Sequence, residues 1–149
     1  NSSELKSSRI VISGICPDKE LKAKLISCLS EQIEYIEEFA DIERIAALTR
    51  ASEFVLFTYN SPSVLSSGSL MDSIGMGARV IGPDKGAFRD LQEVGYIHTF
   101  TNYKDIEDIL LGRSGNPGPK QETLQEFCRE NSWQNYLEKL ENATKGILN

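Results

Sequence analysis

The stretch that decides the fold is Phe54–Asp90, FVLFTYNSPSVLSSGSLMDSIGMGARVIGPDKGAFRD. Its first five residues, Phe54–Thr58, form a short apolar run typical of a strand buried on both faces. Small and apolar residues then recur at helical spacing, at Leu70, Ile74 and Gly77, and a second strand begins at Ala78. Parallel strands joined through a helix place the loops that follow them at one edge of a sheet, where open α/β sheets bind ligands. The stretch therefore predicts a ligand site at that edge.

Four small polar residues stand where the helix of this stretch begins: Ser66, Ser67, Gly68 and Ser69. The first amides of a helix lack partners inside the helix, and the helix dipole adds partial positive charge there. Serine hydroxyls can supplement those amides, and glycine lets a ligand approach the backbone closely. The pattern predicts an anion site. Serines that only cap the helix are the open alternative.

A longer segment, Ser67–Gly86, resembles the donor-binding segment of GT-B glycosyltransferases. In that family a Ser-Gly opens a helix ending in glycine, and a Pro-Val-Ile strand and a glycine-bearing loop follow. Weaker similarity covers most of the remaining chain, at Ile10–Gly14, Ala51–Tyr59 and Ser132-Trp133. Three positions depart from the family pattern: Arg79 replaces its proline, Asp72 replaces a ribose-binding glutamate, and Val64 replaces the first residue of a glutamate pair.

The resemblance implies a site for a nucleotide-diphospho-sugar. The diphosphate would meet Ser66–Ser69, and the ribose would meet Asp72. Gly86 and Ala87 would face the sugar or phosphate, and Tyr59 would form the rim of the base pocket. No residue is assigned as catalytic. The chain has no Asp-x-Asp motif and no metal-spaced histidines, so we expect donor binding without a metal and without a cofactor.

In the whole enzyme that the resemblance implies, a hexose would pass to a glycan or lipid-linked acceptor in polysaccharide biosynthesis. A second, N-terminal domain would hold the acceptor. The family's first strand-helix unit, which carries the basic residues that grip the diphosphate, is also missing from this sequence. We expect a cytoplasmic protein without a membrane span, and association of the full enzyme with a membrane surface stays open.

Composition sets broader limits. The chain has 149 residues, 40% hydrophobic, and a formal net charge of -6, which argues against a nucleic-acid interface. It does not begin with methionine, so we expect a processed chain or an excised piece of a longer protein. Three cysteines, at positions 16, 28 and 128, cannot all pair, and their spacing matches no zinc motif. A reducing compartment is expected.

Five strands alternate with helices along the chain, which predicts an α/β domain. We expect a doubly wound, Rossmann-like parallel sheet of order 2-1-3-4-5, with helices on both faces and two further helices at the C-terminus. Residues 1–8 are expected to be frayed, and residues 9–149 to form one domain. The strand at Arg9–Ser13 is expected to be buried, and a helix from Asp18 to Ser30 to face inward through Leu21, Leu25, Ile26 and Leu29.

Other candidate chemistry is weaker. Cys16 follows a strand, as a nucleophile can, but an idle thiol is the commoner case. His98, the one histidine, stands late in an apolar strand, which favours packing over a general base. The acidic residues between Glu31 and Asp41 favour a solvated face. Two other classes of function stay open: a flavodoxin-like phosphate- or flavin-binding or regulatory module, and a non-catalytic interaction domain.

Overall fold

The computed structural model of the chain describes residues 8–59, 67–115 and 118–145. Strands and helices alternate through most of these residues, as the α/β class requires. The order is β1 (Ile10–Ser13), α1 (Lys19–Ser27), β2 (Ile33–Ile36), α2 (Ile42–Ala51), β3 (Val55–Leu56), α3 (Gly68–Gly75), β4 (Val80–Pro83), α4 (Ala87–Glu93), β5 (His98–Phe100), α5 (Tyr103–Leu110), α6 (Gln121–Glu130) and α7 (Trp133–Lys145).

The predicted single five-stranded sheet of order 2-1-3-4-5 is wrong. The described strands form two parallel sheets, one of β1 and β2 and the other of order β3-β4-β5. The β1–β3 pairing that one sheet requires is absent from the described residues. A physical reason lies in β3, which keeps only Val55 and Leu56 of the five residues predicted for it, too short a strand to support ladders on both sides. The predicted doubly wound arrangement, with helices on both faces of one sheet, is therefore wrong as well.

The chain divides into two compact units, Asn1–Leu48 and Thr49–Asn149. The expectation of one domain over residues 9–149 stays a prediction. Of the segment expected to be frayed, residues 1–7 lie outside the described residues, and Ser8 is exposed.

The first unit pairs β1 with β2 in parallel, with Ile10 opposite Ile33. Its α1 helix begins after Asp18, whose side chain accepts a hydrogen bond from the Leu21 amide at 2.9 Å. The predicted burial is wrong here: Ile10 is 53% exposed, and α1 has no buried residue. A two-stranded sheet is too small to form a core of its own. The apolar periodicity of α1 identified its apolar face, but this sheet does not bury that face.

Acidic residues of the first unit lie in surface ion pairs, as a solvated face requires. Glu37 accepts a hydrogen bond from Lys22 at 2.5 Å, and Glu38 accepts one from Arg44 at 2.8 Å. Asp41 caps α2 as predicted, because its side chain accepts from the Arg44 amide at 2.8 Å. Exposed pairs of this kind contribute little to stability, about 0–1 kcal/mol each.

The second unit has the hydrophobic core. Val55 pairs with Val80, and Ile81 with His98, so β4 lies between β3 and β5. Around β4 pack fully or nearly fully buried side chains from α3, α4, α6 and the segment before β5: Leu70, Ile74, Phe88, Ile97, Leu124 and Phe127. Each such side chain stabilises the fold by about 1.5–3 kcal/mol through burial. Leu56 is 47% exposed, so the prediction that its strand is buried on both faces is wrong.

The two C-terminal helices predicted from the sequence are present as α6 and α7. The second was predicted to reach Leu148, and residues 146–149 lie outside the described residues. α6 contributes Leu124 and Phe127 to the core, whereas α7 has no buried residue. Over the described ranges, no helix has both the length and the apolar character needed to cross a bilayer.

Candidate functional site

The N-terminus of α3 is the first part of the candidate site. Ser67 is its N-cap, with extended backbone, and its hydroxyl accepts a hydrogen bond from the Leu70 amide at 3.2 Å. Ser67 therefore has the capping role that was the alternative to ligand binding. The amides of Gly68 and Ser69 have no hydrogen-bond partner in residues 8–59, 67–115 and 118–145, and both residues are exposed. Two backbone donors are thus available where the helix dipole is positive.

The four predicted anion-binding residues do not share one status. Ser66 lies outside the described residues. The carbonyl of Ser69 accepts a hydrogen bond from the Ser73 hydroxyl at 2.7 Å, which ties the first turn of α3 to its second. A Cβ added to Gly68 would meet nothing within 4 Å among the described residues, so none of them covers the Cα of Gly68.

Tyr59 joins this helix terminus to the next one along the chain. Its hydroxyl lies 3.2 Å from the Ser67 hydroxyl. Its ring lies 5.9 Å from the ring of Phe88 in α4 and 5.8 Å from that of Phe57, between centroids. Tyr59 therefore connects Ser67, at the start of α3, with an aromatic cluster that consists of Phe57, Tyr59 and Phe88. Ala87 precedes Phe88 in the chain.

Gly86 forms the turn between β4 and α4. Its φ of 52° and ψ of -139° lie in a region that side chains other than hydrogen rarely allow. Ala87, the first residue of α4, is half-buried. Behind the turn, Phe88 is fully buried and lies so close to Gly82 that a Cβ there would be 2.0 Å from the Phe88 ring. The buried ring thus holds the Gly86 turn at the carboxyl end of β4.

An ion pair beside this turn was not predicted from the sequence. The Arg89 side chain donates to Asp84 Oδ1 at 2.9 Å and to the Asp84 carbonyl at 2.6 Å. These hydrogen bonds and the carboxylate charge raise the pKa of Arg89. The sequence feature that could have predicted this ion pair is the spacing of Asp84 and Arg89, five positions apart on either side of Gly86. The pair connects the first turn of α4 with the residue after β4 and offsets the charge of the Asp84 carboxylate.

Asp72 stays the least supported of the predicted site residues. It is exposed, and it lies four positions after Gly68, so the two residues share one face of α3. Within the described part of the chain, no hydrogen bond or ion pair joins its side chain to Tyr59 or to the Gly86 turn. Its assignment to a ribose remains a prediction.

Of the remaining candidates, His98 is buried, whereas the cysteines at positions 16 and 128 are half-buried. His98 is 4% exposed at the start of β5, and its ring forms a T-shaped contact with that of Phe54, with 6.1 Å between the ring centroids. The thiol of Cys128 lies against the Ile74 carbonyl at 3.8 Å, and that of Cys16 against the Asp18 carbonyl at 3.5 Å. No group of three or more histidine, cysteine, aspartate or glutamate side chains placed to hold a metal occurs in the three described ranges.

A scan of the sequence against protein-family models and a search of curated proteins found no match. The chemistry of the site therefore rests on the arrangement at the carboxyl ends of β3 and β4. That arrangement offers two backbone amides without a partner among the described residues, a glycine turn and an aromatic ring at one edge of a parallel sheet.

Proposed function

We propose that this chain is the donor-binding part of a glycosyltransferase of the GT-B type. It would bind a nucleotide-diphospho-sugar, and the hexose would pass to a glycan or lipid-linked acceptor. The observation that carries the proposal is the pair of amides at Gly68 and Ser69, which have no hydrogen-bond partner among the described residues. Beside them, Tyr59 contacts Ser67 and also Phe88, two residues after the Gly86 turn. Sheet edges of this kind are where α/β folds place phosphate groups.

Each residue has a distinct task in this proposal. The amides of Gly68 and Ser69 bind the diphosphate, whose negative charge grows as the sugar leaves, and oriented donors stabilise that charge without reorganising. Ser66 and Ser67 flank the same phosphates, although the Ser67 hydroxyl also caps α3. Gly86 allows the sugar or a phosphate to approach the backbone. Tyr59, 40% exposed, offers a ring face to the base.

The proposal requires groups that lie outside this sequence. An acceptor-binding domain would close the cleft, and a further strand-helix unit would supply basic residues to the diphosphate. It also places the protein in the cytoplasm, where nucleotide sugars are the activated donors for polysaccharide synthesis. No residue of this chain is assigned as the catalytic base.

Thermal shift with uridine, guanosine and adenosine diphosphates tests the proposal. A ligand that binds only the native state stabilises it by RT ln(1 + [L]/Kd), so a nucleotide at about 100 times its Kd contributes about 2.7 kcal/mol. We expect one of the three to raise the melting temperature more than inorganic phosphate does. Equal shifts with phosphate alone would favour a simple phosphate-binding module. A yellow purified protein would favour a flavin-binding module instead.

Removal of divalent cations is expected to leave nucleotide binding unchanged. The helix-terminal amides and dipole neutralise part of the diphosphate charge themselves. Titration calorimetry of the nucleoside diphosphate in excess chelator, compared with the same titration in millimolar Mg²⁺, measures the effect. A loss of affinity above about tenfold on chelation, or about 1.4 kcal/mol, would contradict a metal-independent site.

The isolated chain is expected to bind its donor weakly and to transfer nothing. Catalysis needs groups that bind the transition state better than the ground state, and a half-cleft open to water supplies few of them. Without the basic residues and the closing domain, we expect a Kd on the order of hundreds of micromolar, about 5 kcal/mol of binding free energy. Release of nucleoside diphosphate is the assay, with water and mixed sugars as acceptors. Turnover at enzyme-like rates would show that the site is complete in these residues.

A further inference from the structure

His98 is a buried titratable group that the proposed function does not use. It is 4% exposed, and its Nε2 has no hydrogen-bond partner among the residues described. Buried polar atoms are nearly always paired. A buried imidazole nitrogen without a hydrogen-bond partner indicates that the surroundings favour the neutral ring over the protonated one.

Gly118 closes the environment of this nitrogen. A Cβ added to Gly118 would lie 2.1 Å from His98 Nε2 and 2.4 Å from Cε1, so the glycine backbone packs directly against the imidazole. Gly118 has a φ of 73° and stands three residues before α6. The imidazole is thus packed against Gly118, the first residue of the segment Gly118–Lys120 that leads into α6. Leu124 and Phe127 of α6 belong to the core.

The charge that acts on His98 in the described part of the chain is positive. Arg79, which precedes β4, lies over the Phe54 ring at 4.2 Å from its centroid, and the His98 ring meets the same ring by its edge. Glu53 is paired with Arg79 at 3.4 Å. The other residues placed against His98, its register neighbour Ile81 on β4 and Gly118, carry no charge. Among the described residues, no carboxylate is bonded to His98 Nε2 to stabilise an imidazolium.

We propose that His98 is a proton-sensitive latch that holds the Gly118–Lys120 segment against the sheet only while the imidazole is neutral. Protonation makes both ring nitrogens donors, and a charged Nε2–H with no acceptor is costly to bury. The packing against Gly118 must therefore open for Nε2–H to reach water. Burial and, secondarily, the Arg79 charge lower the pKa of His98 below its usual value of 6.5.

The direction of the pH effect follows from this shift. Below pH 6.5 the unfolded chain binds a proton at His98 that the closed folded state does not bind. Stability therefore falls as the pH decreases from 6.5 towards the folded-state pKa. Because the chain has one histidine, this part of the pH dependence belongs to a single group.

The test is a proton NMR titration of the wild-type chain from pH 8 to pH 4.5. The single imidazole gives one Cε1–H signal, and we expect its midpoint below 6.5. The amide signal of Gly118 should move with the same midpoint, while that of Gly86, at the opposite end of β4, should not follow it. A midpoint at or above 6.5, or titration of His98 that leaves the Gly118 amide signal unmoved, would overturn the latch.

A matched variant separates the latch from general acid effects. His98→Phe keeps an aromatic ring against Phe54 and removes the titrating group. We expect its urea midpoint to fall less than the wild-type midpoint between pH 7 and pH 5. Equal falls in both proteins would overturn the proposal. If His98→Phe does not fold, the wild-type titration alone decides, since it needs no substitution.

Discussion

Replacing Phe88 with alanine is expected to lower the free energy of unfolding by about 3–5 kcal/mol, the range for large aromatic truncations in cores. The Phe88 side chain is fully buried and contacts two further aromatic rings, at 5.5 Å from Phe57 and 5.9 Å from Tyr59. Its removal would leave a cavity beside Gly82, whose missing Cβ is what admits the ring. Because domains are stable by only about 5–15 kcal/mol, this loss would take a large share of the total.

Urea unfolding followed by circular dichroism measures this prediction. Tyr103→Ala is the control, because that ring is 90% exposed and surface substitutions usually change stability by less than about 0.5 kcal/mol. Gly82→Ala should also destabilise the protein, since its Cβ would overlap the Phe88 ring. A loss below about 1 kcal/mol in Phe88→Ala would mean that this ring is not the centre of the core.

Replacing Gly68 with aspartate is expected to abolish nucleoside diphosphate binding, with a loss of at least about 100-fold. A carboxylate about 4 Å from a phosphate charge is repelled by about 4 kcal/mol at an effective dielectric constant of 20. The fold should survive, because a Cβ at Gly68 meets nothing within 4 Å in the part of the chain that the structure describes. An acidic side chain in the first turn also interacts favourably with the helix dipole. Titration calorimetry on the folded variant gives the affinity.

Gly68→Asn is the matched control, since asparagine has nearly the same shape as aspartate without its charge. We expect Gly68→Asn to bind within about tenfold of the wild type, or 1.4 kcal/mol. Equal losses in both variants would point to steric blocking instead of repulsion of an anion. Unchanged affinity in a folded Gly68→Asp variant would exclude the α3 terminus as the diphosphate site.

Local sequence was sufficient wherever a short-range rule decides the outcome. Asp41 caps α2 and Ser67 caps α3, because a side chain three residues from an orphan amide can satisfy it without tertiary help. The pairings of β1 with β2 and of β3, β4 and β5 join strands consecutive in the chain, as connected parallel strands commonly do. The Gly86 turn was likewise located by its glycine.

The candidate site was predictable only in part, because short-range rules locate helix starts and turns but not the contacts between different elements. Spacing placed Ser67, Gly68, Gly86 and Ala87 at two helix starts that follow one another in the chain. It could not show that Tyr59 reaches Ser67 or that Phe88 lies beneath the turn. Those contacts join residues from different elements, and their geometry depends on how side chains fill the core.

Burial and the pairing of non-consecutive strands were decided by the tertiary structure alone. Apolar periodicity in α1 and β1 identified an apolar face, yet Ile10 and Leu21 are 53% and 58% exposed, because a pattern shows which face is apolar and not what covers it. The prediction that β1 pairs with β3 was also wrong. The length of β3 depends on hydrogen-bond partners that are distant in the sequence, and local pattern does not identify them. For His98, the sequence predicted a packing role. That Gly118 packs against its Nε2 could be learned only from the tertiary structure.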